Sequence, residues 1–207
     1  MRKTGILLGA LLAAAFAPPA GAGEVIVSRE GDGMAVYFRM PLSDVRPLFG
    51  NDVSGLMGSD GRLTPDLLAQ GTFDGADLLA RDVAFTLGAR DVAFEALSMM
   101  VHPAETPLRF DDPLSAQMAI AVCGVPLPEA APQPEDLVWV GGWYAYPVPS
   151  GAALTIDFPQ TDRAPLDLSV RVFDAGHLKR DEKVTLADDG TIHVPGTAGW
   201  RRWLSGG

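Results

Sequence analysis

Methionine and histidine side chains that could bind a metal gather in one short stretch, at Met99, Met100 and His102. Thioether and imidazole groups are ligands that copper favours, and Met118 or Cys123 could add to them from a later segment. On a strand, however, Met99 and Met100 would point to opposite faces. Methionine also fills irregular gaps in a core, and Cys123 would do so as a small apolar residue. The sequence therefore favours core packing and leaves copper binding as an alternative.

The spacings that other metals and common catalytic sites require are missing from the sequence. His177 and His193 are isolated, and neither a Cys-x-x-Cys nor a paired-histidine spacing indicates zinc. The glycine turn around Gly61 lacks the carboxylates of a calcium loop, and the Gly-x-Ser-x-Gly elbow of many hydrolases is absent. Adjacent carboxylates such as Asp111 and Asp112 fall in expected loops, whereas a glycosidase needs two carboxylates that converge across a cleft. An exported enzyme acting on carbohydrate would have to form such a pair through its fold.

Four aromatic residues, Trp139, Trp143, Tyr144 and Tyr146, lie close together and are the strongest candidate for a binding site. On a strand, Trp139 and Trp143 would share one face, and Tyr144 and Tyr146 the other. An open face of this kind is an aromatic platform suited to a sugar or a protein partner. The alternative is that the same rings fill the core and its rim. Exposure of Trp143 or Tyr144 within an apolar patch would favour binding.

Residues 1–22 have the pattern of a secretory signal peptide. Arg2-Lys3 gives a positive start, an apolar run follows from Ile6 to Phe16, and Ala20-Gly21-Ala22 fits the small-x-small cleavage pattern. The apolar run is too short to span a bilayer. Cleavage would release a chain that begins at Gly23, either in a periplasm or outside the cell.

Length and charge narrow the possible partners. The chain has 207 residues and a formal charge of -10 at pH 7, and loss of residues 1–22 would make it more negative. Binding to nucleic acid or to anionic lipid depends on clustered Lys and Arg, so we exclude nucleic acid as a partner. Residues 23–207 are of ordinary size for a single domain. No later apolar run is long enough for a transmembrane helix, and Cys123, the only cysteine, cannot form an internal disulfide.

Alternating apolar residues and glycine-containing turns predict about ten short strands. Glu24 to Met40 predicts a hairpin with a glycine-rich turn, and Ala116 to Cys123 predicts another strand. Leu137 to Phe158 predicts a central hairpin turned at Pro-Ser-Gly, and Lys183 to Val194 a last hairpin turned at Asp-Asp-Gly. The alternation from Leu166 to Val172 is the clearest strand pattern in the chain.

Residues 42–81 interrupt this alternation and predict a partly helical insertion. Thr64-Pro65 has the N-cap and first-turn pattern of a helix, and a second short helix is expected from Gly75 to about Arg81. The sequence ARDVAF then occurs twice, at Ala80–Phe85 and at Ala89–Phe94. This nine-residue offset favours two successive strands, because a helix would place the copies on opposite faces.

These patterns predict an all-β fold, an antiparallel β-sandwich of immunoglobulin-like or jelly-roll type with a short, partly helical insertion. A closed barrel is the alternative architecture. We expect a non-catalytic exported protein, without a cofactor, that binds a protein or a cell-envelope component through its aromatic cluster. A periplasmic copper-handling protein is the first alternative, and an exported carbohydrate-active enzyme is the second.

Overall fold

The computed structural model describes residues 23–51, 76–77, 79–106, 108–121, 137–149, 151–159, 165–186 and 190–196. The strands in these ranges are β1 (Gly23–Glu30), β2 (Gly33–Pro41), β3 (Ala84–Leu87), β4 (Arg90–Asp91), β5 (Glu95–Pro103), β6 (Leu137–Ala145), β7 (Leu154–Asp157), β8 (Leu166–Asp174), β9 (His177–Leu186) and β10 (Thr191–Val194). Two helices, α1 (Leu42–Phe49) and α2 (Pro113–Ala121), accompany them. Neither helix, nor any other helical turn in the described part of the chain, has the length and hydropathy needed to cross a membrane. The predicted signal peptide, 1–22, lies outside these ranges.

The strands form two sheets that pack against each other. The larger sheet has six strands in the order β5-β6-β2-β1-β8-β9, and the smaller has four in the order β10-β7-β3-β4. Neighbouring strands are antiparallel, except that β1 and β8 run parallel. The predicted all-β sandwich with a helical insertion is confirmed, with one parallel pair in a sheet that we expected to be antiparallel throughout.

Strand β2 shows how the alternation in the sequence becomes two faces of a sheet. Met34, Val36 and Phe38 are buried in the main core between the two sheets. Ala35 and Tyr37 belong to a second cluster on the outer face of the larger sheet. The predicted faces of this strand are confirmed, and both faces are apolar, so each needs a cover.

Helix α1 closes the main core with one aromatic side chain. Phe49 is fully buried, and its ring centroid lies 5.5 Å from that of Phe38, 5.3 Å from Trp139, and 5.8 Å from both Trp143 and Phe158. Three of these four pairs are edge-to-face, an arrangement that aromatic rings favour. Phe49 therefore joins rings from β2, from β6 and from the end of β7.

Two of the predicted hairpins are confirmed by the strand pairing. The segment Glu24–Met40 forms the antiparallel pair β1–β2. The hairpin expected from the ARDVAF repeat forms as β3–β4, with Thr86 opposite Asp91, although only the last two residues of the first copy belong to β3. The insertion predicted at 42–81 begins with α1, and residues 76, 77, 79 and 80 are helical near its end. The helix start predicted at Thr64-Pro65 lies outside the described residues.

The hairpin predicted at Leu137–Phe158 is wrong, because its two strands belong to different sheets. Strand β6 lies in the larger sheet and β7 in the smaller, so the chain crosses between the sheets after Ala145. Pro147 and Pro149 occupy this crossing, and proline has no amide proton to continue a ladder. The Val148 amide donates instead to the carbonyl of Asp32, 2.5 Å away in the β1–β2 turn.

The last predicted hairpin, Lys183–Val194, is wrong for the same kind of reason. Strand β9 is an edge of the larger sheet, and β10 is an edge of the smaller one. The hairpin that does form is β8–β9, turned at Ala175-Gly176, where both residues have positive φ angles of 47° and 75°. Two successive positive φ angles are typical of the tight turns that suit the twist of paired strands.

The strand predicted at Ala116–Cys123 is also wrong, because Ala116–Ala121 forms most of α2. The Ser115 amide donates to Asp112 Oδ1 at 2.8 Å, which caps the first turn of this helix. Ala116, Ala119 and Ile120 are buried against the sheet, and this spacing of three and four residues is that of a helix face. Cys123 lies outside the described residues.

Candidate functional site

Helix α2 covers only part of the outer face of the larger sheet. Its buried residues and Phe110 pack on Ile26, Tyr37, Val140 and Phe173. Beside the first turns of the helix, a groove of about 440 Å³ remains open. We call this the outer-face groove, and six of its lining residues define it: Ser28, Glu30, Tyr37, Leu97, Leu114 and Tyr144. A volume of this size is typical of small ligand pockets.

Small residues give the groove its depth. Ser28 pairs with Ala35 across β1 and β2, and Glu30 pairs with Gly33, so three of these four neighbours have little or no side chain. The phenol ring of Tyr144 lies directly over Gly33, where an added Cβ would overlap the tyrosine Oη and Cζ atoms. The sheet therefore forms a low floor, and the larger side chains around it form the walls.

The hydroxyl of Ser28 is the most unusual polar group in the groove. Ser28 is 4 % exposed, and its Oγ has no hydrogen-bond partner among the described residues. A buried polar atom left unpaired costs about 1 to 3 kcal/mol. Ser28 is one of the residues that line the groove, so this unpaired atom lies directly beneath the open volume, where a ligand that settles on the floor can satisfy it.

The Tyr37 hydroxyl in the groove is buried and lies near the negative charge of Glu30. The pKa of Tyr37 is raised to about 12, first by burial, then by the charge of Glu30 and by Tyr144. Glu30 is exposed at the end of β1, and it is the one carboxylate among the described residues that line the groove. No described Lys or Arg side chain lines it.

The position of α2 depends on a buried histidine of β5. The His102 ring is 2 % exposed, and its Nε2 lies 2.8 Å from the carbonyl oxygen of Ala119. Burial lowers the pKa of His102, although the hydrogen bond to Ala119 acts in the opposite direction. A neutral imidazole can donate its Nε2–H to this carbonyl. The helix in turn leaves Leu114 and Met118 exposed, at 66 % and 59 %.

A cluster of charges holds the loop that leads into α2. Glu24 forms ion pairs with both Arg39 and Arg171, on three neighbouring strands of the larger sheet. Arg39 also donates to the carbonyl of Leu108 at 2.7 Å and lies 5.1 Å from the centre of the Phe110 ring. This cluster lies at the far end of the face from Tyr144, and we assign it a structural role.

The predicted aromatic site is divided by the sheet. Trp139 and Trp143 share a face, as expected, but both are fully buried between the two sheets, so neither can contact a partner in this fold. Tyr144 is on the outer face and lines the groove. Tyr146 follows the end of β6 and is 65 % exposed. A hydrogen bond to Asp32 raises the pKa of Tyr146, and so does the negative charge of that carboxylate.

The predicted copper ligands are likewise separated by the sheet. Met99 is buried in the core between the sheets, whereas His102 contacts α2 on the outer face. Met100 is two positions before His102 on β5 and so lies on the same face of the strand, and Met118 is exposed on α2. The described residues contain no group of three or more His, Cys, Asp or Glu that could hold a metal ion. Copper binding that involves Met100 and His102 stays a prediction from the sequence.

Sequence reasoning missed most of the groove. Ser28, Tyr37 and Leu114 were not candidates, because the groove forms only where α2 leaves the sheet uncovered. One signal was available: Ile26, Ala35 and Tyr37 make the outward face of the first hairpin apolar. An apolar sheet face must be covered by another element, here α2, and a groove can form where that element ends.

Comparison with known proteins does not assign this chain to a family. No family model matches the sequence, and no curated protein does. The functional argument therefore depends on the outer-face groove itself.

Proposed function

We propose that this protein is an exported, non-catalytic binding protein that holds a segment of a protein partner in the outer-face groove. Export is inferred from the signal-peptide pattern of residues 1–22. The observation that carries the binding proposal is an open groove whose floor contains the buried, unpaired hydroxyl of Ser28. A second groove among the described residues, of about 540 Å³, is lined in part by Arg90, Asp91 and Val148, and no unpaired buried side-chain atom lies in its lining.

The composition of the groove supports a protein segment as the occupant. Leu97 and the exposed Leu114 provide apolar walls, and Tyr37 and Tyr144 provide rings with polar tips. Tyrosine surrounded by apolar side chains is typical of the centre of protein interfaces. The exposed Met118 extends the apolar surface along α2, and methionine adapts readily to the shape of a partner.

Site-specific photo-crosslinking in the cells that produce the protein tests this proposal. A benzoylphenylalanine at Leu114 places the crosslinker in the groove wall, and the same residue at Leu178 is the matched control. Both leucines are exposed, at 66 % and 51 %, and Leu178 lies on the edge strand β9. We expect Leu114 to capture one protein, identified by mass spectrometry, that Leu178 does not capture.

A second variant links that capture to the groove. Ala35→Leu fills the floor between Ser28 and Tyr144, so it should abolish the crosslink from Leu114 while circular dichroism shows a folded protein. Capture of the same protein from both Leu114 and Leu178, or of none from Leu114, would refute the proposed function.

A further inference from the structure

We infer that the outer-face groove selects a positively charged side chain, an arginine in preference to a lysine, presented by the partner segment. This inference rests on the proposed function and specifies its chemistry. It comes from the charge of the groove, from the unpaired hydroxyl in its floor, and from the shape of the walls around them.

The charge of the groove is negative and uncompensated within the described residues. Glu30 lines the groove, and no described Lys or Arg forms an ion pair with it. Its neighbour Arg29 points to the opposite face of β1, where the guanidinium donates to the carbonyl of Pro195 at 3.1 Å. The whole chain carries a formal charge of -10, which would attract a basic segment from a distance.

The spacing of the acceptors fits a guanidinium. Ser28 and Glu30 are two positions apart on β1, so their side chains leave the same face about 6.5 to 7 Å apart. A guanidinium has five N–H donors in a planar fork and can reach two acceptors at once. It can therefore satisfy the Ser28 hydroxyl and pair with the Glu30 carboxylate together.

The walls suit the remainder of an arginine side chain. Leu97 and Leu114 can pack on its methylene stem, and the tyrosine rings can lie against its charge. The charge of Glu30 also contributes to the raised pKa of Tyr37, so the negative potential extends into the buried part of the groove. A carboxylate or phosphate group in the same position would be repelled by Glu30.

Binding of short synthetic peptides measures this preference directly. The probes are four fluorescein-labelled peptides, Gly-Leu-X-Leu-Gly amides, in which X is arginine, lysine, citrulline or glutamate. Citrulline has nearly the shape of arginine but no charge, so it isolates the charge. At low salt we expect the arginine peptide to bind about tenfold more tightly than the citrulline peptide, which corresponds to the loss of about one charge-assisted hydrogen bond. The lysine peptide should bind more weakly than the arginine peptide, because an ammonium lacks the planar fork that reaches two acceptors, and the glutamate peptide should bind most weakly. Added salt should reduce this ratio.

Three variants assign the preference to the groove. Glu30→Gln should remove the difference between arginine and citrulline, and Ser28→Ala should weaken the arginine peptide about fivefold. Glu105→Gln is the matched control, since Glu105 is an exposed carboxylate beyond the far end of β5, and it should leave the ratio unchanged. Amide NMR spectra of each variant report whether it is folded.

The outcomes separate this inference from the proposed function. Equal affinities for arginine and citrulline, a lysine peptide that binds as tightly as the arginine peptide, or an unchanged ratio in Glu30→Gln would overturn the inference. Failure of all four peptides to bind at millimolar concentration would overturn it as well. Crosslinking from Leu114 would still support the proposed function in each of these cases. An arginine preference without specific crosslinking would instead refute the protein partner and retain the cation site.

Discussion

Replacement of Phe49 by alanine should be among the most destabilising substitutions in this chain. The side chain is fully buried and contacts four other aromatic rings, at centroid distances between 5.3 and 5.8 Å. Truncation of a buried phenylalanine costs about 3 to 5 kcal/mol, because transfer free energy is lost and a cavity remains. Four large rings cannot easily collapse into that cavity, so we expect the upper half of this range. That is a large fraction of the stability of an ordinary domain, about 5 to 15 kcal/mol.

Urea unfolding of the wild type, Phe49→Ala and Phe94→Ala, followed by tryptophan fluorescence, measures the effect. Phe94 is the matched control, because it is only partly buried and stacks on one ring, that of Phe85, at 4.3 Å. We expect Phe94→Ala to cost about 1 to 2 kcal/mol. A loss for Phe49→Ala that is no larger than the loss for Phe94→Ala would refute the role of Phe49 in joining the aromatic rings of the main core.

Three further substitutions test other features of the fold. Burial lowers the pKa of His102 below 6.5 in the folded protein. The unfolded chain therefore binds a proton more readily, and the free energy of unfolding should fall as pH drops below about 6.5. His102→Gln can still donate to Ala119, so its urea stability should differ less between pH 7.5 and pH 5.5. Gly33→Ala should displace the Tyr144 ring and cost about 1 to 3 kcal/mol; a loss that persists after Tyr144→Ala is added would contradict this cause. Trp143 has an indole N–H without a partner among the described residues, so Trp143→Phe should change stability by less than about 1 kcal/mol, since relief of that group offsets the lost volume. A loss above about 3 kcal/mol would contradict this balance.

Local pattern predicted most of the strands of this sandwich. The alternation from Met34 to Met40 and from Leu166 to Val172 identified both the strands and their buried faces. A period of two is enough for this, because it depends only on residues that are neighbours in sequence. The helix α2 was missed because Ala, Met and Ile are compatible with both kinds of element. The cap at Asp112 and Ser115 was the signal that could have decided it.

The pairing of strands could not be predicted in the same way. The turn after β6 was recognised, but a turn does not say whether the next strand joins the same sheet or the opposite one. That choice depends on the packing of both sheets, and on contacts such as the one from Val148 to Asp32, which join segments far apart in sequence. The parallel pairing of β1 with β8 is non-local for the same reason.

The candidate site was only half predictable. The aromatic cluster of β6 was found, and the expectation that alternate rings share a face held for Trp139 and Trp143. Which face was open depended on the second sheet and on α2, and both are formed by segments of the chain outside β6. Ser28 had no local signal at all, since a serine near the end of a strand is ordinary, and only burial without a partner makes it unusual.

The parallel pair of β1 and β8 has a consequence for the order in which this protein can fold. In the larger sheet, β1 is the strand that joins β5, β6 and β2 to the β8–β9 hairpin. One edge of β1 therefore stays open until β8 has been synthesised and has paired with it. Because the chain between β1 and β8 is long, the closure of this loop slows folding. An open edge of this kind is also a site for association with another chain. A protein that crosses a membrane unfolded and folds afterwards would have its first and eighth strands available together, and the exposed edge would exist only briefly.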